Sequence, residues 1–262
     1  MMENPVFNRE FRTRLRSRKT RAIRLAVGIP AALIIIVSYY QLIAAMCREM
    51  RTERGEVWVF ASFLQLLVIC FIVPGLTANA ISQEKEQRTW GLLLITRLSA
   101  WQIIWGKLVA RLMPIPILMI AFVPFQVYSA VASGMPAYQT VGTYVILLAC
   151  VFFFAAQAFF WSWAFRRTSV AISAAYGTVF FFTVGTLIIE GLAQLTRTGP
   201  ERMSFLMRVN PFFVLGSLLD ESDMKTLHDA IQAAGIMSAI YVAAGVILLL
   251  VMKHYLDRSR TE

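Results

Sequence analysis

ISQEKEQRTWGLLLITRLSAWQIIWGKLVARL, residues Ile81 to Leu112, decides how the rest of the chain reads. It carries Glu84, Lys85, Glu86, Arg88, Arg97, Lys107 and Arg111, yet long apolar runs lie on both sides of it. From Leu112 to Phe165 there is no Asp, Glu, Lys or Arg. An unpaired charge is costly in hydrocarbon, so charges between two apolar runs must lie in water. Trp90, Leu93, Leu94 and Leu98 recur at roughly helical spacing. That predicts an amphipathic segment at a membrane surface, with one apolar face. Its basic character places it on the cytosolic side. A short helix presented there is a surface on which a cytosolic partner can push.

Working outward, the flanking runs are long enough to cross a bilayer, which takes about 20 apolar residues for ~30 Å of hydrocarbon. Of 262 residues, 58% are hydrophobic, against about 45–50% in a soluble domain. The predicted fold is an all-α polytopic membrane protein, one transmembrane domain over residues 1–262. Six transmembrane helices are expected near 25–46, 57–80, 112–132, 139–165, 168–190 and 230–252. In that arrangement 18 of the 25 Lys and Arg fall on one side and seven on the other. The asymmetry puts both termini in the cytosol, and an even number of spans agrees with it. The net charge of +10 therefore tracks membrane sidedness and contact with anionic lipid, not nucleic acid. Cys47, Cys70 and Cys150 show no metal or redox spacing, and no structural disulfide is expected.

The N-terminal 4–21 opens on Asn4-Pro5, a good cap followed by a residue tolerated at the first helical position. Phe7, Phe11 and Leu15 fall on one face, and Arg9, Arg12 and further basic residues occupy much of the rest. This predicts a basic amphipathic helix in the inner interface; the plainer alternative is a solvated basic tail that sets topology. The outer segment 191–229 is too long for an idle connector. Its apolar stretches Met203 to Val209 and Phe212 to Leu219, broken at Asn210-Pro211, predict two short helices. Pro74-Gly75, Pro114, Pro116 and Pro124 predict kinks in the second and third spans.

Catalytic chemistry is poorly supplied. No G-x-x-x-x-G-K-[ST] phosphate loop occurs, and Gly106-Lys107 lacks the upstream glycine and the following hydroxyl. His228 and His254 fall on opposite sides of the predicted membrane. Glu84 to Arg88 is similar to the E-E-x-x-x-R of intramembrane prenyl-protein proteases but fails on spacing. Polar residues inside spans are functional candidates by default. Here they are Gln65, Asn79, Gln126, Gln157 and Glu190. Gln157 reads as an interhelical hydrogen-bond partner in preference to a substrate ligand. Glu190 reads either as a pathway group at the outer mouth or as an interfacial residue ending the fifth span, and the second is preferred.

The stretch at 81–112 also resembles, residue by residue, the cytosolic loop of the type-two permeases of ATP-binding-cassette transporters. Their Glu pair, Thr, leucine run, Leu-Ser and Gly-Lys-Leu correspond to Glu84 and Glu86, Thr89, Leu92 to Leu94, Leu98 and Ser99, and Gly106 to Leu108. The Asn4-Pro5 opening and the N-P-F at Asn210 to Phe212 are similar to further elements of that family. Family members commonly carry Gly where Arg88 stands, and Pro where Arg97 and Ala100 stand. The resemblance implies an N-terminal elbow helix touching the ATPase through Phe7, Arg9, Glu10, Phe11 and Arg12. It implies a coupling helix whose contact residues are Glu84, Glu86, Arg88, Thr89 and Arg97, and paired outer helices between spans five and six. It implies an exporter subunit in a bacterial inner membrane, with a second permease subunit, identical or homologous, sharing the pathway. ATP and Mg would be held by the partner ATPase, with no cofactor or metal in this chain. Gln65, Asn79, Gln157 and Glu190 are then candidates for the pathway or the subunit joint. The second span is the expected joint, and the fifth is the alternative. A non-transporting scaffold that binds an ATPase, and an intramembrane enzyme, are the rival functions.

Overall fold

The computed structural model describes residues 56–91, 99–133, 136–196, 205–219 and 224–258, together with Val37. The predicted elbow helix with Phe7, Arg9, Glu10, Phe11 and Arg12, the predicted first span, and Arg97 lie outside the described residues. All regular structure among the described residues is helical. Ten α-helices occur there in chain order: α1 (Glu56–Thr77), α2 (Ser82–Glu86), α3 (Ala100–Leu112), α4 (Pro114–Ser133), α5 (Ala137–Ala164), α6 (Thr168–Phe180), α7 (Thr186–Thr196), α8 (Phe205–Val209), α9 (Pro211–Leu219) and α10 (Met224–Arg258). A π-helical turn, Phe181–Gly185, joins α6 to α7.

Among the described residues, five helical stretches are long and apolar enough to cross a membrane: Trp58–Glu86, Ala100–Pro124, Ala137–Ala164, Thr168–Ala193 and Ala230–Arg258. The central one is α5, which packs against α1, α3, α4, α6, α9 and α10. Its run of small and aromatic residues explains the position. Ala155, Ala156 and Ala158 let neighbouring backbones approach, and Phe153, Phe154 and Phe159 fill the space between them. Phe153 stacks obliquely on Tyr241 of α10 with ring centroids 4.5 Å apart.

The third membrane-length helix does not begin where the apolar run alone places it, at 112. Helix α3 starts at Ala100 and leads through Met113 into α4, so half of the predicted surface loop belongs to the bundle. Ser99 starts it with a capping box. Its hydroxyl accepts from the Gln102 N–H, and the Gln102 side chain accepts from the Ser99 N–H. Ile103, Ile104 and Leu108 are buried, and so is the charged Lys107. The expectation that every charge in 81–112 lies in water fails at Lys107 because a carboxylate meets it there.

Between α7, which runs to Thr196, and α10, which begins at Met224, lies most of the segment expected to be the outer connection. It holds the short helices α8 and α9, which meet at Asn210. Pro74 sits inside α1, and Gly75 makes room beside it for Tyr176 of α6, whose hydroxyl donates to the Phe71 carbonyl at 2.7 Å. A Cβ at Gly75 would lie 2.8 Å from that hydroxyl.

Candidate coupling site

The site is the short helix α2 and the chain ends packed around it. Its five residues, Ser82 to Glu86, come after a turn at the end of α1. One turn of helix satisfies almost none of its own backbone groups, so its hold must come from elsewhere. The N-terminal N–H groups of Ile81 and Ser82 both donate to Ser162 Oγ, at 2.8 and 3.0 Å. Ser162 lies near the end of α5, about 80 residues away in the chain, and is fully buried. It is a helix cap supplied by another span.

Each charged side chain of α2 then reaches a different element. Glu84 Oε1 accepts from Lys107 Nζ of α3 at 2.5 Å. Lys107 is 1% exposed, and the carboxylate compensates its ammonium there. Lys85 donates to the Trp163 carbonyl at the end of α5 and lies over the Trp90 and Trp163 rings, 5.9 and 5.8 Å from their centres. Glu86 accepts from both the N–H and the hydroxyl of Thr168, each at 2.8 Å. Thr168 is the first residue of α6, so Glu86 places a carboxylate at the positive end of that helix. Beside the cluster, Arg111 of α3 donates to Asn79 Oδ1 at 2.5 Å.

The C-terminal end of α2 turns sharply. Arg88 adopts φ 57°, the left-handed region. The Thr89 N–H bonds to the Glu84 carbonyl at 2.9 Å and the Arg88 N–H to the Lys85 carbonyl at 3.2 Å. This is the paired closure of a Schellman motif, in which the left-handed position is ordinarily glycine. Arginine therefore stands where the backbone path favours glycine. Glu86, Gln87, Arg88 and Thr89 are exposed, as are Arg166 and Arg167 in the α5–α6 turn. Together they form the solvent face of the site.

Of the residues singled out from the sequence, Glu84, Glu86, Arg88 and Thr89 come together in this cluster. Asn79 follows the end of α1 and accepts from Arg111 of α3. Gln157 stands apart, donating from α5 to the Ala175 carbonyl of α6 at 3.3 Å. Gln65 is fully buried in α1, and its amide has no hydrogen-bond partner among the described residues. Glu190 is 2% exposed in α7, covered by protein. Sequence reasoning missed Lys107 as a partner, and Ser162, Trp163 and Thr168 altogether. The S-x-x-Q at Ser99 to Gln102 was the one local signal that α3 begins early; contacts across about 80 residues leave no periodic trace.

A bundle of membrane-length apolar helices, tied at one end by a polar cluster, defines a polytopic α-helical membrane protein of the transporter class. Residues 5–256 match the family described as ABC-2 family transporter protein, and the chain belongs to it. It is thus a membrane-embedded permease subunit of an ATP-binding-cassette transporter, and the family works in association with an ATPase subunit. No curated protein matches it.

Proposed function

We propose that this chain is one of two permease subunits, identical or homologous, of an ATP-binding-cassette exporter in a bacterial inner membrane. The carrying observation is that α2 is bonded by separate side chains to α3, α5 and the start of α6. A push on such a helix moves several spans at once. In this reading α2 is the coupling helix, and its end of the bundle faces the cytosol. The partner ATPase binds ATP and Mg and presses on the exposed turn formed by Gln87, Arg88 and Thr89, flanked by Arg166 and Arg167. By linkage, the inner face must bind the closed ATPase better in one state of the spans than in the other.

Tryptophans support the membrane boundary at this end. Trp90, Trp101, Trp105, Trp161 and Trp163 gather around the cluster, and such rings concentrate where hydrocarbon meets water. A sixth span near 25–46, the elbow helix at 4–21 and cytosolic termini complete the proposal. The elbow residues Phe7, Arg9, Glu10, Phe11 and Arg12, with Arg97, are proposed as additional ATPase contacts.

Glu84 and Glu86 have their carboxylates engaged within the chain, so their reversal would disturb the fold as well as a contact. The exposed cations give the cleaner test. The double charge reversal Arg88→Glu with Arg167→Glu is expected to weaken pull-down of the cognate ATPase at least tenfold in mild detergent, with membrane insertion unchanged. Undiminished pull-down would remove this turn from the ATPase contact.

A further inference from the structure

A second polar cluster lies farther along the fifth span, about 20 Å from Thr168 at 1.5 Å per helical residue. Phe181–Gly185 is a single π-helical turn, closed by the Thr186 N–H reaching back to the Phe181 carbonyl. Such turns are rare, take backbone groups out of the regular ladder, and occur often at functional sites. Side-chain donors collect at the carbonyls here. Thr186 Oγ1 donates to the Phe182 carbonyl at 3.0 Å. Asn210 Nδ2 donates to the Thr183 carbonyl and to Thr186 Oγ1, each at 2.6 Å, with a longer contact of 3.5 Å to the Phe182 carbonyl.

Asn210 belongs to the α8–α9 junction, not to the fifth span. Its Oδ1 accepts from the N–H groups of Phe212 and Phe213 at 2.9 and 3.0 Å, which makes it the N-cap of α9, with Pro211 at the first helical position. The network fixes the amide orientation, since a flipped side chain would set oxygen against carbonyl oxygen. Asn210, Thr183 and Thr186 are all buried. Across the junction, the Tyr241 hydroxyl of α10 donates to the Val209 carbonyl at 3.0 Å. One side chain therefore does two jobs: it starts an outer helix and holds an irregular turn of a span.

We infer that Asn210 is a positioning residue of the transport cycle, a latch that keeps the fifth span bulged while α8 and α9 are docked. Release of the latch lets the bulge close into regular helix. One residue taken out of a helical turn re-phases the helix beyond it by roughly 100°, so α7 turns about its axis and carries Glu190 from its covered face. The α6–α7 span presents Phe180, Phe181, Leu187, Ile188 and Leu192 outward, so among the described residues few large side chains on that face have to be repacked when it turns. This inference rests on the transporter reading.

The test uses the full chain in lipid nanodiscs with its ATPase. Spin labels are placed through Leu195→Cys and Phe205→Cys, both exposed positions, with Cys47, Cys70 and Cys150 replaced. The wild-type background should give one interlabel distance without nucleotide and a second with nucleotide trapped. Asn210→Ser keeps a good cap for α9 but is too short to bridge to Thr183. It should show the trapped-state distance in both conditions and lose the nucleotide-dependent shift. Thr186→Val, which removes one of the two close acceptors on the span side, should move the distance the same way without touching the cap. Wild-type distances in both variants, or no nucleotide shift in the wild type, would overturn the latch. If the ATPase does not bind the wild-type chain, the permease reading fails instead. The nucleotide-free comparison of wild type with Asn210→Ser then decides the latch alone: a difference supports it, identity overturns it.

Discussion

At the scale of single residues, the Glu84–Lys107 pair ties α2 to α3. Lys107 is buried, so removing Glu84 takes a carboxylate away from an ammonium that water hardly reaches. Breaking a buried pair from one side costs about 3–5 kcal/mol, whereas replacing both members with apolar residues of similar shape is often neutral. Glu84→Ala is therefore expected to lower thermal stability sharply in detergent, and Glu84→Leu with Lys107→Met to recover most of it. A double mutant as unstable as the single would show that the pair is not what holds α3 to α2. Arg88 makes the opposite prediction. A side chain at a left-handed position costs roughly 1–2 kcal/mol that glycine does not. Arg88→Gly should raise the melting temperature while reducing any charge-dependent grip on the ATPase, and a fall in melting temperature would contradict the strain at φ 57°.

At the scale of elements, the buried Ser162 hydroxyl joins the end of α5 to the start of α2. Ser162→Ala leaves two buried N–H groups without an acceptor, at about 1–3 kcal/mol for each unsatisfied group. Faster amide exchange at Ile81 and Ser82 than at Ala78 and Ala80 is expected, and equal exchange would show that water takes the hydroxyl's place. An element is legible in the sequence where its signal is local. The α8–α9 pair is readable because Asn210-Pro211 is a cap and a helix start in adjacent letters. The α5 span is readable because it is an uncharged run. The start of α3 is misread because Lys107 looks like a surface charge, and its neutralising partner is 23 residues upstream. The glutamates of α2 stand out as a motif, yet their roles are hidden. Their partners sit on α3 and α6, and only the packed bundle brings those together.

At the scale of the whole molecule, the proposed pairing of two permease subunits needs one span as its joint. The second span is the joint expected from the sequence because it carries Gln65 and the Pro74-Gly75 kink. In the folded chain Gln65 is covered by its own bundle, and Gly75 is occupied by Tyr176. The fifth span instead presents Phe180, Val184, Leu187 and Ile188 outward. That favours the fifth span, since a closed pair is the commonest assembly and needs a free face. Cysteine crosslinking should therefore bridge subunits efficiently from 180–192 and poorly from 60–76, and the reverse pattern would return the joint to the second span. Sidedness is checked in the same background: an impermeant thiol reagent on intact cells should modify Ser222→Cys and spare Ser17→Cys.

The ties around α2 also impose an order on biosynthesis. Ile81, Ser82 and Glu86 find their partners only at Ser162 and Thr168, some 80 residues later in the chain. At translation rates of about 5–20 residues per second, these ties can form only roughly 4–16 s after α2 is made, whereas Lys107, 23 residues on, can meet Glu84 sooner. The segment is thus held in stages, first to α3 and only later to α5 and α6, so a chain halted before Ser162 would carry α2 fastened on one side alone.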